Sequence, residues 1–135
     1  MTAKRLQRSF SDALAEAGGT FPAWQVLLAV QRQGARTQHD LARAIGVEGP
    51  TLTRQLDALE SAGLVERQRD QQDRRAIRVK ATPRGQAQFR RLATAAKGFD
   101  ERLRSGLSDG EIAQLSGLLA RISANAIRTD TEKGR

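Results

Sequence analysis

The sequence predicts a mainly α protein of the α+β class, a winged helix-turn-helix with a two-stranded β-hairpin wing and with N- and C-terminal dimerisation helices. Three patterns predict it. Two short amphipathic segments, residues 37–46 and 50–61, lie about three residues apart, which is the spacing of a helix-turn-helix. Two short alternating runs follow them directly, as a hairpin would. Two long segments with apolar residues at steps of three and four complete the chain.

The chain has 135 residues, enough to bury a core as one compact domain without a metal or a disulfide. Within it we expect an N-terminal dimerisation helix in residues 1–20, a winged helix-turn-helix in residues 21–85 and C-terminal dimerisation helices in residues 86–128. The polar residues 129–135 are expected to form a frayed tail.

The first two helices are marked by apolar spacing and by helix-terminating residues. From Leu6 to Leu14 an apolar residue recurs every four positions, which predicts an amphipathic helix over residues 4–17. Pro22 suits the first turn of a second helix, because the N–H that proline lacks is not used there. Gly34 is expected to end that helix.

Capping residues delimit the helix-turn-helix. Thr37 can cap the third helix with Asp40 as its capping-box partner, and Gly46 can end that helix. Pro50 lies near the first turn of the fourth helix and Gly63 just past its end. This fourth helix is the one that could enter a major groove.

The segment after Gly63 has the pattern of a hairpin. Residues 64–69 and 76–80 are short runs with period-two alternation, and a polar, charged loop joins them. A hairpin that directly follows a helix-turn-helix is a wing, so the fold predicted for this region is a winged helix.

The two C-terminal helices carry apolar stripes. Thr82 and Pro83 begin the fifth helix, and Ser108 with Glu111 forms a second capping box at the start of the sixth. Each stripe could pack against other helices of the same chain. Because a winged helix closes its own small core, however, a homodimer would bury these stripes best.

The charge pattern indicates a polyanionic partner. The formal net charge is +8 and the isoelectric point is near 11.3, and such a surface attracts nucleic acid. Residues 66–91 carry nine Arg or Lys and three acids, a local excess of nine minus three, or +6. A solvated basic surface is the alternative, but the clustering favours a binding face.

The composition excludes several kinds of site. Without cysteine the chain has no disulfide, no thiolate zinc site and no thiol-based oxidant sensor. His39 has no nucleophile nearby in the sequence, so we expect a surface histidine and neither metal nor cofactor. No paired carboxylates or phosphate loop indicate an enzyme. No segment resembles a targeting signal or a membrane span, so a cytoplasmic location is expected.

The fourth helix offers candidate base contacts. Its leucines fall on one face, the core side. Arg54 lies on the opposite face and can donate two hydrogen bonds to guanine, whereas a threonine can offer its hydroxyl to phosphate and its methyl group to thymine. The free N–H groups at the start of the preceding helix suit a phosphate. The predicted DNA contacts of these two helices are Thr37, Gln38, Pro50, Thr51, Thr53 and Arg54.

The wing combines acids that shape it with arginines that bind. Asp70 is placed to fix the turn as an Asx-turn. Asp73 can fix the local turn and brace Arg75, two residues later, by a charge-assisted hydrogen bond that directs the guanidinium outward. The predicted DNA contacts of the wing are Arg69, Asp73, Arg74 and Arg75, and Arg78 is a further phosphate neighbour.

These segments resemble the MarR family of transcription regulators, and its SlyA-like branch in particular. The resemblance is densest in DLARAIGVEGPTLTRQLDALESAGLVER and DRRAIRVKATPRG, within residues 37–85. It implies a homodimeric regulator, a repressor, that binds a pseudo-palindromic double-stranded DNA operator sequence-specifically and is released by a small anionic aromatic acid. It also implies that Arg54 contacts DNA and that Arg75 enters the minor groove.

The chain departs from this family at Ala81, where a leucine is usual, and its lack of cysteine excludes the oxidant sensing of some relatives. Two alternatives remain open. A winged-helix protein-interaction module would have an apolar or mixed reading face and little salt dependence. A nonspecific DNA-binding protein would enrich all duplex sequences equally.

Overall fold

The computed structural model describes residues 2–33 and 36–133. These residues form six helices and three short strands. In chain order they are α1 (Thr2–Glu16), α2 (Phe21–Gln33), β1 (Arg36–Thr37), α3 (Gln38–Ile45), α4 (Gly49–Ser61), β2 (Val65–Arg69), β3 (Ile77–Ala81), α5 (Pro83–Arg104) and α6 (Asp109–Lys133). The order confirms the predicted winged helix-turn-helix. The predicted helix end at Gly34 lies outside the described residues.

The limits of the helix-turn-helix are set locally, as predicted. The hydroxyl of Thr37 accepts a hydrogen bond of 3.1 Å from the N–H of Asp40 and so caps α3. Gly46 ends that helix with a φ of 81°, in the left-handed region where glycine alone avoids a steric cost. Pro50 lies in the first turn of α4, which Glu48 precedes without a side-chain cap.

A reciprocal capping box begins α6. The hydroxyl of Ser108 accepts a hydrogen bond of 3.1 Å from the N–H of Glu111, and the Glu111 carboxylate accepts one of 2.9 Å from the N–H of Ser108. These bonds, first of all the one from the Ser108 backbone, lower the pKa of Glu111 because they favour its charged form. The capping box predicted from the sequence is confirmed.

The sheet has three strands in the order β1-β3-β2, and β3 pairs antiparallel with both neighbours. In the β2–β3 hairpin Val65 lies opposite Ala81, and Arg69 lies opposite Ile77. The strand β1 was not predicted, because two residues are too few for a period-two pattern to show. It joins the residues just before α3 to the wing strand β3.

One apolar cluster forms the core of the winged helix. Its buried members come from α1 to α5: Leu14, Ala23, Val26, Leu27, Val30, Leu41, Leu52, Leu56, Leu59, Val65, Val79, Ala81 and Leu92. The three leucines of α4 are among them, so the core side of that helix is the one predicted. Trp24 lies half-buried against this cluster, and its ring stacks on that of Phe89 with the centroids 5.7 Å apart.

The start of α5 is fixed to the turn between α4 and β2. The Thr82 hydroxyl donates a hydrogen bond of 2.6 Å to the carbonyl of Gly63 and accepts one of 3.0 Å from the N–H of Gly85. A Cβ atom at Gly85 would lie 1.9 Å from the carbonyl oxygen of Leu64. Only glycine permits this approach of the two backbones, which holds the base of the hairpin.

The chain divides into two compact units, Met1–Phe99 and Asp100–Arg135. All buried residues of the described part of the chain lie in the first unit. The reason is that the winged helix completes its core from its own residues, with α5 contributing no buried residue beyond Leu92.

In the second unit α6 continues to Lys133, five residues past the predicted helix end at residue 128. The last two residues of the predicted frayed tail lie outside the described residues. Seven large apolar side chains of this unit are between 44% and 66% exposed, and Ile112 is half-buried. The seven are Leu103, Leu107, Leu115, Leu118, Leu119, Ile122 and Ile127. Within residues 2–33 and 36–133, no helix combines the length and the hydropathy needed to cross a membrane.

Candidate nucleic-acid interface

The outward face of α4 presents polar side chains, as the helical period predicted. Arg54 and Asp57 are exposed on it, and Pro50 is exposed at its start. Among the described residues Arg54 has no hydrogen-bond or ion-pair partner, so its five N–H donors remain available. Thr51 lies half-buried on the flank of the helix.

Thr53 is more constrained than the sequence suggested. Its hydroxyl donates a hydrogen bond of 3.0 Å to the carbonyl of Gly49 and accepts one of 2.8 Å from the amide nitrogen of Gln38. A threonine hydroxyl has one hydrogen, and here that hydrogen is already used. What remains to be offered is chiefly the methyl group, which suits the methyl of thymine.

The same contact joins Gln38 of α3 to α4, the candidate reading helix. Its Nε2 is the donor to Thr53, and its Oε1 is buried with no hydrogen-bond partner in the described part of the chain. The hydroxyl of Thr37 is likewise engaged by its capping bond. Both predicted phosphate contacts of α3 therefore have their side chains committed within the fold.

Asp70 shapes the wing loop as an Asx-turn, as predicted. Its Oδ1 accepts hydrogen bonds from the N–H groups of Gln72 at 2.8 Å and Asp73 at 3.3 Å. Its Oδ2 accepts one of 2.8 Å from Nε of Arg78. The backbone bond from Gln72 is the largest cause, and the Arg78 bond the next, of a lowered pKa for Asp70.

The bracing of Arg75 differs from the prediction. The Asp73 carboxylate accepts a hydrogen bond of 3.1 Å from the backbone N–H of Arg75, and no ion pair joins the two side chains among the described residues. Because the carboxylate holds the backbone, the exposed guanidinium of Arg75 stays unpaired within that part of the chain. Asp73 thus acts on the shape of the loop.

The remaining wing arginines are partly committed. Nη1 of Arg69 donates a hydrogen bond of 3.2 Å to the carbonyl of Arg74 and so closes the loop across its two ends. Arg78 is held by Asp70. The side chain of Arg74 is exposed. Of the predicted phosphate neighbours, Arg74 is therefore the one with its guanidinium free of the bonds found in the described residues.

Sequence reasoning missed a cluster formed by Arg67, Asp57 and Glu60. Nη2 of Arg67 lies 2.6 Å from Oδ1 of Asp57 and 3.3 Å from Oε1 of Glu60, and both its Nε and its backbone N–H lie 3.2 Å from Oε2 of Glu60. The side-chain bond from Arg67 lowers the pKa of Glu60, and the Glu60 carboxylate raises that of Arg67. Two acids three residues apart were the available signal, but the direction of β2 was needed to pair them.

Two clefts border the interface. One of about 920 Å³ opens between α3, the start of α4 and the wing, and Thr37, Gln38, Thr53, Asp73 and Arg75 are among its lining residues. The structure thus brings predicted contacts from three elements around one cleft.

The second cleft, of about 550 Å³, lies between the start of α2 and α4. It is lined by Thr20, Pro22, Ala23, Thr51, Arg54, Gln55, Ala58 and Leu59. Gln55 has an Oε1 that is buried and has no hydrogen-bond partner in the described residues.

Comparisons with known proteins agree with this architecture. The model of the MarR family matches residues 17–76. A mutant MarR from E. coli complexed with operator DNA is 27% identical with a TM-score of 0.82, over 89% of this chain and 86% of that one. CouR, a transcriptional repressor bound to a 23-mer DNA duplex, is 29% identical with a TM-score of 0.83, over 90% of this chain and 87% of that one.

A probable transcriptional regulator from Pseudomonas aeruginosa is also similar. It is 26% identical with a TM-score of 0.78, over 90% of this chain and 93% of that one. These likenesses span the helix-turn-helix, the wing and the flanking helices, whereas the SlyA-like branch stays a prediction from the sequence. The family match over residues 17–76, the shared fold and the arrangement of α4 and the wing make this chain similar to regulators of the MarR family.

Proposed function

We propose that this protein is a homodimeric transcriptional regulator, a repressor, that binds a pseudo-palindromic DNA operator. The observation that carries the proposal is the pair of exposed arginines, Arg54 on the reading helix and Arg75 on the wing, whose guanidinium groups are unpaired in the described part of the chain. The net charge of +8 favours a polyanionic partner. Two similar structures, 27% and 29% identical to the chain, hold duplex DNA.

The reading helix would recognise bases in the major groove. Arg54 can donate two hydrogen bonds to O6 and N7 of guanine. Thr53, whose hydroxyl is committed to Gly49 and Gln38, would offer its methyl group to thymine. Thr51 and Pro50, at the start of α4, would lie in the same major groove, because the first turns of a recognition helix reach the base edges.

The wing would supply the second contact. Asp70 and Asp73 hold the loop through backbone N–H groups, which leaves Arg75 to enter the minor groove. A narrow minor groove attracts arginine through its negative potential. Arg69 and Arg74, at the ends of the loop, would lie beside phosphates, and the acids would act on the loop and not on the DNA.

A second copy of the chain would cover the exposed apolar face of α6. Leu115, Leu118, Leu119 and Ile122 recur there at steps of three and four and are at least 47% exposed. Exposed apolar surface on this scale marks an interaction site. A homodimer would also match the two-fold symmetry of a pseudo-palindromic operator.

Release by a small anionic aromatic ligand is the regulation that we propose. The cleft of about 550 Å³ between α2 and α4 supports it, since Arg54 lines this cleft and could bind a carboxylate there. The apolar side chains of Pro22, Ala58 and Leu59 would contact the ring. A ligand held by Arg54 would compete directly with guanine for that side chain.

Selection of bound duplexes from a random pool tests the proposal. We expect the wild type to enrich an inverted repeat, and Arg54→Ala to lose that consensus at the guanine it reads, at a cost of about 1–3 kcal/mol. Arg75→Ala should weaken binding at the flanking minor-groove positions. Arg90→Ala, which removes an equal charge from an exposed site on α5, is the matched control and should retain the consensus.

The same experiment separates the two alternative functions. Equal enrichment of all sequences would indicate a nonspecific DNA-binding protein, and no binding even at low salt would favour a protein-interaction module. Either result would contradict the proposed operator recognition.

A further inference from the structure

Arg67 links the wing to the reading helix. It lies in β2, and its guanidinium contacts two carboxylates of α4, those of Asp57 and Glu60. Its side chain is 21% exposed, against 59% for Asp57 and 43% for Glu60. The arginine is therefore the inner member of the cluster, and the two acids lie outside it on the helix surface.

Arg67 is placed where it can hold the outer part of the hairpin against α4. The base of the hairpin is held in the core by Val65, Val79 and Ala81. Beyond Arg67 the side chains of Gln68 and Arg69 are exposed. In the described part of the chain, Arg67 is the last residue of β2 that hydrogen-bonds to α4, and it lies opposite Val79 at the middle of the β2–β3 ladder.

The two acids also need a partner for electrostatic reasons. Asp57 is one helical turn after Arg54 on the outward face of α4, and Glu60 follows three residues later. A duplex approaching this face would bring phosphates toward both carboxylates. Arg67 neutralises part of that charge and at the same time uses the acids as anchors for the wing.

We propose that Arg67 is a positioning residue, which sets the wing against the reading helix so that Arg54 and Arg75 engage one operator half-site together. The proposal rests on the proposed function and deepens it. Exposed ion pairs of this kind contribute little to folding stability. Loss of Arg67 should therefore reduce the joint contribution of Arg54 and Arg75 to operator binding, and should change the free energy of unfolding only slightly.

A double-mutant cycle on the selected operator tests this role. In the wild-type background we expect Arg75→Ala to weaken binding roughly tenfold. In an Arg67→Met background we expect only about two- to threefold, because Arg75 on a misplaced wing already contributes less to binding. Methionine retains a long apolar stem without the charge. Thermal unfolding followed by circular dichroism reports whether each variant is folded.

Lys80→Met is the matched control. Lys80 lies in β3 opposite Glu66, its side chain is exposed, and its loss removes the same single charge from the same hairpin. In this background the Arg75→Ala effect should remain roughly tenfold. An equal Arg75→Ala effect in the Arg67→Met and wild-type backgrounds would overturn the proposal.

A second variant keeps the test independent of the folding of Arg67→Met. Asp57→Asn combined with Glu60→Gln removes both anchors, leaves Arg67 in place and makes each subunit more positive by two charges. Charge alone predicts tighter binding to every duplex with an unchanged preference for the operator. The positioning role predicts tighter binding to a scrambled duplex but an operator preference reduced roughly tenfold, so an unchanged preference would refute it.

Failure of this inference is distinguishable from failure of the proposed function. If wild-type protein shows no preference for any duplex, operator recognition itself is wrong and Arg67 has no site to organise. Suppose that the wild type prefers its operator, that Arg67→Met keeps the full effect of Arg75→Ala, and that Asp57→Asn with Glu60→Gln keeps the operator preference. In that case the function stands and Arg67 is only a surface ion pair.

Discussion

The two units of the chain differ in the burial of their apolar side chains. In Met1–Phe99, leucines of α1 to α5 are fully buried in one cluster. In residues 100–127 no residue is buried, and every leucine and isoleucine side chain except that of the half-buried Ile112 is 44% to 66% exposed. The winged helix therefore completes its core from its own residues, whereas the apolar face of α6 is exposed among the described residues.

The largest effect is expected from charges placed on the apolar face of α6. Leu119→Asp combined with Ile122→Asp should abolish self-association, because a dimer would have to bury unpaired carboxylates. Operator affinity should then fall by roughly a hundredfold or more, since the winged helix of each subunit (one lobe) binds its half of the operator alone. Sedimentation equilibrium and gel-shift titration measure the two changes.

Ala124→Asp is the control for this variant. It adds the same kind of charge to an exposed position on the opposite side of α6 by the helical period, and it should leave both properties unchanged. A double variant that sediments like the wild type would contradict the contrast between the two units.

A core substitution in the first unit should have the next largest effect. Leu56→Ala removes a fully buried side chain of α4 and should cost about 2–5 kcal/mol of unfolding free energy. Leu118→Ala, at a position 47% exposed in α6, should cost less than about 1 kcal/mol in a dilute sample where the chain is monomeric. Urea unfolding at fixed protein concentration compares them, and equal losses would erase the distinction between the units.

The salt dependence of operator binding indicates whether one subunit or two contact the DNA. If two lobes neutralise about eight phosphates, log affinity plotted against log salt should have a slope near −7. The variant with charges on α6 should show about half that slope, since one lobe contacts about four phosphates. Fluorescence anisotropy over a salt series measures both slopes, and the same slope for both proteins would argue against a two-lobed complex.

The smallest effect is expected from the pH response of the wing loop. Because the folded-state pKa of Asp70 is lowered, chiefly by the N–H of Gln72 and then by Arg78, the unfolded chain takes up a proton first as pH falls. The stabilisation by this carboxylate is therefore present above its ordinary pKa of 3.8 and is lost as pH falls through the lower folded value.

Asp70→Asn provides the comparison. The stability difference between wild type and variant should be greatest near neutral pH and should shrink in the acid range, measured by urea unfolding at a series of pH values. A difference that is independent of pH would show that the carboxylate charge has no part in holding the loop.

Much of the fold could be predicted because its signals are local. The capping bonds at Thr37 and Ser108, the left-handed glycine at Gly46 and the core side of α4 each follow from residues a few positions apart. The short strand β1 escaped prediction, since its two residues carry no periodic pattern and exist as a strand only through pairing with β3.

The site was predicted less completely, because its side chains bond across elements. Arg54 and Arg75 could be selected by their place on a helix face and a loop tip. The commitment of Thr53 to Gln38, fifteen residues away, could not be read from spacing. For Asp73 the prediction had two parts: its carboxylate fixes the local turn through the backbone N–H of Arg75, but the predicted side-chain ion pair is not found among the described residues.

The sequence was sufficient to predict the order and type of the main elements, the basic character of the hairpin and the candidate binding residues, because helical period, capping and charge are properties of short segments. Which of these side chains are free of bonds depends on the tertiary packing. It brought β2 back along α4, placed Arg67 between Asp57 and Glu60, and left Arg54 and Arg75 unpaired within the described part of the chain. Such pairings depend on strand direction and register, which arise when distant segments pack together.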